Sequence, residues 1–223
     1  MKLTLVKKMD EAKDTKSFFF TANEKLSWQA GQYLYLTLDG ITKQFTIASS
    51  PTEKFIQVTT RIRKESKFKK LLNKLQIGST IKARGPFGSF VFPIINSSLL
   101  TINCFIAGGI GITPFRAMIK NIIDNKIKKD IYLIYSNSDN EFVFKKDLDK
   151  WKKENNFIKI DYIDTSVSGH LDKNSLNHYI SDHSISSVFW VVGPPPFVNA
   201  MEDILEKFRI PEDHVRTEKF IGY

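Results

Sequence analysis

The chain has 223 residues, 42% of them hydrophobic, which suits one large domain or two modest ones with real cores. Its 33 Lys and Arg against 24 Asp and Glu give a formal charge of +9, but the lysines are scattered through KKLLNK, NKIKKD and KWKKEN. Nucleic-acid binding, which wants a clustered basic stripe with interleaved aromatics, is therefore not expected, although a basic surface can steer an acidic partner or an anionic cofactor.

Residues 1–20, beginning MKLTLVKKMD, hold no long apolar run. The expectation is no signal peptide, no membrane span and a cytoplasmic location. The runs SFFFTA (17–22), YLYLTL (33–38), KQFTIAS (43–49), FIQVTTRI (55–62) and TIKARG (80–85) read as short strands, broken by Gly31, Gly40, Pro51, Gly78 and Gly85. That pattern predicts a small barrel or sandwich. One segment breaks it: SKFKKLLNKL (66–75) places Phe68, Leu71, Leu72 and Leu75 on one helical stripe.

From residue 100 strands and helices alternate. LTINCFIAGG is a predicted buried strand and ITPFRAMIKNIIDN a helix with Pro114 near its start, where proline is tolerated. Then come DIYLIYSN (strand), EFVFKKDLDKWKKE (helix), FIKIDYIDT (strand), LDKNSLNHYI (a helical turn or two), SVFWVVGPP (strand), PFVNAMEDILEKF (helix) and HVRTEKFIGY (a last strand and tail). Such alternation implies a parallel sheet with right-handed crossovers. The boundary falls near FPIINSSLL (92–100), giving expected domains 1–96 and 97–223. The single cysteine, Cys104, reads as a buried strand thiol, and it excludes an internal disulfide and a four-cysteine iron–sulfur site. The four histidines show neither HExxH nor a ligand pair at metal spacing.

Gly108, Gly109 and Gly111 stand between the first strand of the second half and its first helix. Ligands of doubly wound sheets bind beyond the carboxyl ends of the strands, where free amides and the helix dipole favour a pyrophosphate. The string is GGxGxTP rather than GxGxxG, and a tight turn that holds nothing is the competing reading. A second glycine turn, VVGPPPF (191–197), ends another strand of the same predicted sheet, so both turns would face one crevice. In the first half, KQFTIASSP offers a cation in Lys43, a flat apolar ring in Phe45 and a hydroxyl in Thr46; RGPFGSF (84–90) adds another glycine-bounded turn.

Taken in order, KQFTIASSP, GPFGSF, AGGIGITPF, VVGPPPF and EKFIGY resemble the ferredoxin–NADP reductase-like flavoprotein family over essentially the whole chain. The resemblance implies an N-terminal antiparallel Greek-key β-barrel that binds FAD. It also implies a C-terminal Rossmann-like parallel-sheet domain that binds NAD(P)H, with hydride passing from nicotinamide to flavin. It places Lys43 at the position of an arginine that meets the flavin pyrophosphate. Gln44 follows within the same motif, Phe45 lies against the flavin, and Thr46 is the hydroxyl near flavin N5. Arg61 and Ser66 fall in a second flavin-phosphate segment, and Ser66 doubles as a helix N-cap. Gly108, Gly109, Ile110, Gly111 and Thr113 match the nicotinamide nucleotide loop, and Gly193 and Pro194 a second nucleotide turn, whose usual preceding cysteine is Val192 here. Glu218 and Phe220 match an acid-x-aromatic pair near the flavin. Thr46 and Glu218 are thus the expected catalytic positions, and Phe220 or Tyr223 the expected aromatic cover of the flavin.

The resemblance implies electrons handed singly to a protein acceptor such as a ferredoxin or flavodoxin. Alternatives are a reductase of free flavin or small acceptors, an electron-transfer subunit of a larger complex, and a non-enzymatic nucleotide-binding module. The dihydroorotate dehydrogenase electron-transfer subunit carries a cysteine cluster, which one cysteine cannot supply. Members that use NADP follow the third strand of the nucleotide domain with Ser-Arg. Here IDTSVSGH gives Ser168 and Gly169 with no arginine, which points to NADH, while Lys173, and His170 when charged, leave NADPH open.

Overall fold

The computed structural model of the chain describes residues 1–93, 102–127, 129–180 and 187–221. The expected domain boundary at 96/97, and Gly222 and Tyr223 of the tail, lie outside the described residues. The chain forms two compact units, Met1–Phe92 with Thr113–Asn125, and Pro93–Ile112 with Lys126–Tyr223.

The first unit is an antiparallel sheet of β1 (Lys2–Ala12), β2 (Thr15–Ala22), β3 (Tyr33–Leu38), β4 (Ile41–Thr46), β5 (Ile56–Arg61) and β6 (Thr80–Phe87), in the order β4-β3-β6-β1-β2-β5. Alternate residues point inward: Leu3 and Leu5, Phe18 and Phe20, Leu34 and Leu36, Ile56 and Val58, Ile81 and Ala83 fill one core. Beyond the edge strands, Ala48 N donates to Gln57 O (2.8 Å), which draws the two edges together toward a barrel. Strand β1 was not anticipated. Its signal is the Leu3/Leu5 alternation, diluted by the lysine-rich half that follows and interrupted by register shifts at Leu5/Lys7 and Asp10/Ala12.

Helix α1 (Lys67–Lys74) forms where its periodicity predicts, and Ser66 caps it, its Oγ accepting from Lys69 N (3.3 Å). Its buried residues are Phe68, Lys69 and Leu72; Leu71 and Leu75 are half-buried, so the stripe is rotated toward a lysine. Helix α2 (Ile112–Asp124) packs with this unit from Thr113 onward, bonded to the turn after β4.

The second unit is a parallel sheet of β7 (Ile102–Gly108), β8 (Ile131–Asn137), β9 (Ile158–Asp164), β10 (Ser187–Gly193) and β11 (Val215–Lys219), ordered β11-β10-β7-β8-β9. The central strands are buried along nearly their whole length, as strands covered on both faces must be. Among the described residues, four helices accompany them: α3 (Lys145–Glu154), α4 (Thr165–Ser168), α5 (Lys173–Ile180) and α6 (Pro195–Lys207). Helix α3 starts later than EFVFKKDLDKWKKE suggests. Phe142, Val143 and Phe144 are buried in a turn, Phe144 at φ 63°, and Phe142 packs on Tyr135 and Tyr162. Burying three successive apolar side chains defeats helix, which spreads its residues around an axis. Helix α4 was not anticipated. It is one turn capped by Asp164, whose carboxylate accepts from Ser166 N (2.9 Å).

Candidate functional site

After β7 the chain builds β8 and β9 on one side and then crosses to lay β10 on the other, so the strand order reverses between β7 and β10. Both glycine turns sit at that reversal, the place where open α/β sheets bind ligands. Three of the glycines there are required by close packing. A Cβ on Gly108 would lie 2.6 Å from the Phe197 ring, and one on Gly193 would lie 2.8 Å from that ring and 3.2 Å from Gly108 Cα. A Cβ on Gly111 would lie 2.4 Å from Val192 O. Gly109 differs: its φ is 56°, and the nearest atom to an added Cβ is Asn137 Oδ1 at 3.7 Å. It lines open space in a left-handed conformation that glycine adopts without strain. Gly109–Gly111 form a 3-10 turn that runs straight into α2, with Ile110 half-buried and Thr113 buried.

The VVGPPPF turn contributes shape rather than donors. Pro194 is exposed at the N-cap of α6, and Pro194, Pro195 and Pro196 carry no N–H. At the same end of the sheet Val192 pairs with Glu218, and Phe220 N donates to Gly193 O (2.9 Å). Phe220 is only 7% exposed, while the next residue, Ile221, is 87% exposed. Glu218 Oε2 is buried without a hydrogen-bond partner, and burial pushes its carboxyl up to about 7. A carboxyl whose proton affinity is raised by burial, on the strand beside Val192 and Gly193, is a proton-handling candidate.

In the first unit, Lys43 and Gln44 are exposed, whereas Phe45 and Thr46 are buried. Gln44 pairs with Tyr35 and Thr46 with Tyr33. Phe45, the flat apolar ring of that motif, is not left open. It belongs to the barrel core, 5% exposed, with Phe68 of α1 stacked on it at 5.3 Å. Its partner in β3 is the buried Leu34, so the pairing of β4 with β3 sets it on the inward face. Arg61 and Ser66 are half-buried.

Sequence reasoning missed Arg63 and Lys69. Lys69 is 5% exposed, and its ammonium is pushed down to about 8, first by burial and then by the charges of Arg63, Lys43 and Arg61. Cations from β4, the end of β5 and the loop after it thus act on the Lys69 ammonium of α1. A signal existed in RIRKESKFKK, but only the fold shows which of its cations are turned together. Mutual repulsion of this kind is relieved by an anion, so the cluster fits a flavin pyrophosphate.

Among the described residues, no group of three His, Cys, Asp or Glu could hold a metal ion, and no helix is long and apolar enough to cross a membrane.

Residues 2–92 match the oxidoreductase FAD-binding domain family and residues 105–203 the oxidoreductase NAD-binding domain family. The chain is 28% identical over 243 residues to a flavohemoprotein of Candida albicans, covering 96% of this chain and 58% of that protein. It is 28% identical over 197 residues to NADH-cytochrome b5 reductase 1 of Aspergillus terreus, covering 79% and 66% respectively. Ferredoxin-NADP+ reductase from Plasmodium falciparum shares the fold with a TM-score of 0.82 at 17% identity, over 98% of this chain and 95% of that one. The chain spans 58% of the length of the flavohemoproteins it matches, so it corresponds to part of them. With an antiparallel FAD-binding unit, a parallel NAD-binding unit and both glycine turns at the strand reversal, the chain belongs to the ferredoxin–NADP reductase-like family of FAD- and NAD(P)-binding oxidoreductases.

Proposed function

We propose that the chain is an FAD-dependent NADH oxidoreductase that supplies electrons to an acidic protein acceptor, of the ferredoxin or flavodoxin kind. The observation that carries the reading is the meeting of two glycine turns at the β7/β10 reversal, in a chain whose barrel gathers four cations. FAD, when bound, accepts a hydride from nicotinamide and releases electrons one at a time. The protein's part is binding, orientation and exclusion of water. Residues 1–96 serve as the FAD-binding domain and residues 97–223 as the NAD(P)-binding domain.

In this reading Lys43, Arg61, Arg63 and Lys69 hold the flavin pyrophosphate, with Ser66 and Gln44 beside them. Phe45 supports the flavin from the core side, and Thr46 presents its hydroxyl toward N5. Gly109, Ile110, Gly111 and Thr113 cradle the nucleotide phosphates, Gly108, Gly193 and Pro194 shape the crevice, and Glu218 holds a proton near the reacting rings. Phe220 covers the nicotinamide-facing side of the flavin; Tyr223 is the second aromatic of that tail.

Asp164 supports NADH over NADPH. Two strand spacings separate β7 from β9, roughly 10 Å, within reach of a dinucleotide that starts at Gly109. There the Asp164 carboxylate already occupies the amide of the Thr165–Ser168 turn, accepting from Ser166 N (2.9 Å) and Ser166 Oγ (2.6 Å). A second anion, such as a 2′-phosphate, would meet a filled seat and a like charge. The formal charge of +9 supports an acidic acceptor by steering.

Anaerobic stopped-flow of the purified chain with NADH and, separately, NADPH tests the reading. A yellow protein reduced rapidly by NADH is expected. Protein that holds no FAD, or FAD that neither nucleotide reduces, overturns it. Flavin that leaves on gel filtration while NADH still reduces added free flavin would replace it with a free-flavin reductase.

A further inference from the structure

The turn after β4 is fastened in an unusual way. Arg116, on α2, is 5% exposed. Its Nη1 donates to Glu53 Oε2 (2.6 Å) and to Ala48 O (3.1 Å), and its Nη2 to Glu53 Oε1 (3.1 Å). Glu53 is itself part of the turn: Oε2 accepts from Ser50 N (2.7 Å), and Glu53 N donates to Ser50 O (3.0 Å). Farther along α2, Asn121 accepts from Ser50 Oγ (3.4 Å), and Asp124 accepts from Thr52 Oγ1. On the strand side Ile47 N donates to Gln32 O (2.9 Å) and Ala48 N to Gln57 O (2.8 Å). Ala48 therefore has both its amide and its carbonyl fixed, two residues beyond Thr46.

An ion pair with its guanidinium buried and its carboxylate half-buried is a poor device for stability alone, because desolvation of the buried partner offsets much of its Coulomb gain. What a bidentate guanidinium adds is direction, since its planar fork accepts one orientation of the carboxylate. The segment so held is the continuation of the strand that carries Lys43, Phe45 and Thr46. Arg116 lies outside the segment that matches the FAD-binding family and inside the one that matches the NAD-binding family, yet its bonds go to residues 48 and 53 of the former.

We infer that Arg116 is a positioning residue. Through Glu53 and the Ala48 carbonyl it sets the end of β4, and with it the orientation of Thr46 toward the flavin. The inference rests on the proposed placement of FAD at Lys43–Thr46, and it adds a residue that touches neither cofactor nor substrate.

The test compares Arg116→Gln, Arg116→Lys and Glu53→Gln in the full chain, each alone and combined with Thr46→Ala. Four quantities are read: melting temperature, FAD dissociation constant, visible spectrum of the bound flavin, and anaerobic reduction rate by NADH. Arg116→Gln is expected to shift the spectrum and slow reduction about tenfold or more, with the FAD dissociation constant changed less than about threefold. Arg116→Lys keeps the charge without the fork and should fall between. In the Thr46→Ala background the further effect of Arg116→Gln should shrink below about twofold, because the two act on one element. If Arg116→Gln does not fold, Glu53→Gln carries the test, since it leaves Arg116 its bond to Ala48 O.

A lower melting temperature with the wild-type spectrum and rate would show a merely structural pair and overturn the inference. So would an equal slowing in the wild-type and Thr46→Ala backgrounds. A wild-type chain that holds no flavin overturns the proposed function itself, and the positioning role with it.

Discussion

The barrel and the β7/β10 crevice both suit a phosphate-bearing ligand, and they differ in means. On the barrel, long cationic side chains are brought together until burial and repulsion hold one of them, Lys69, down at about 8. In the crevice, side chains are left out: Gly108, Gly111 and Gly193 have no room for a methyl group, and Gly109 keeps a left-handed backbone open. A site built of charge tolerates exchange of one cation for another and responds to pH. The glycine turns themselves carry no titrating side chain, and at Gly108, Gly111 and Gly193 they leave no room for one added carbon.

The largest effect should therefore come from Gly111→Ala. Its Cβ would stand 2.4 Å from a backbone oxygen, Val192 O, which cannot swing away as a side chain can. Relief requires β10 and the glycine turn to separate, at a cost of about 3 kcal/mol or more. Gly40→Ala is the control. It meets nothing within 4 Å and carries only the strain of φ 71°, about 1 kcal/mol. Urea unfolding of the two variants measures the difference. Equal destabilisation would show that close packing is not what the crevice glycines provide.

Next come the cations. Lys43→Glu sets a negative charge against the pyrophosphate and should weaken FAD by well over 1 kcal/mol, about tenfold or more. Lys69→Gln is more diagnostic, since it should also weaken FAD yet stabilise the flavin-free chain by removing a crowded buried charge. Fluorescence titration and thermal melting of the same samples read the two signs. A Lys69→Gln variant that binds FAD as wild type does would remove Lys69 from the cluster.

How much of this was legible in the sequence follows from the same contrast. Glycine turns announce themselves, so Gly108–Gly111 and Gly193 could be placed at strand ends and, by alternation of strand and helix, on one sheet. The strand runs of the barrel were equally plain, except β1, whose polar half masks its Leu3/Leu5 alternation. What could not be read was convergence. Lys69 falls within an apparent amphipathic stripe of Phe68, Leu71 and Leu72, and only the packing of α1 buries the lysine in place of Leu71. Phe45 looks like an offered ring until β4 pairs with β3 and turns it onto Phe68. The Arg116–Glu53 pair spans 63 positions and leaves no periodic trace at all.

A smaller effect concerns nucleotide choice. Asp164→Asn keeps the cap on Ser166 N but removes the charge. Relative to NADH, use of NADPH should rise about fivefold to tenfold in kcat/KM, the scale of one screened charge–charge contact. An unchanged ratio would mean that the adenosine end lies elsewhere.

The smallest expected effect sets the two regions against each other by pH. Glu218, beside the crevice, has its carboxyl raised by burial from 4.5 to about 7. Between those values the folded chain holds a proton that the unfolded chain has released. Stability therefore falls as pH rises through the window and stays lower above 7. Glu218→Gln removes the group, so the variant should gain on wild type across that window by on the order of 1 kcal/mol, allowing for partial exposure. Lys69 runs the other way. Its folded value of about 8 lies below the ordinary 10.5, so between those values the unfolded chain binds the proton, and stability of the flavin-free chain rises with pH. FAD should flatten this second slope, because a bound pyrophosphate favours the charged lysine and draws its titration back toward the ordinary value, and flavin affinity should fall as pH climbs above about 8. Melting curves of wild type, Glu218→Gln and Lys69→Gln from pH 5 to 10, with and without FAD, measure both slopes. The first should vanish in Glu218→Gln regardless of flavin, and the second in Lys69→Gln. An alkaline slope that persists in Lys69→Gln would mean that some other group, and not the barrel cluster, titrates there.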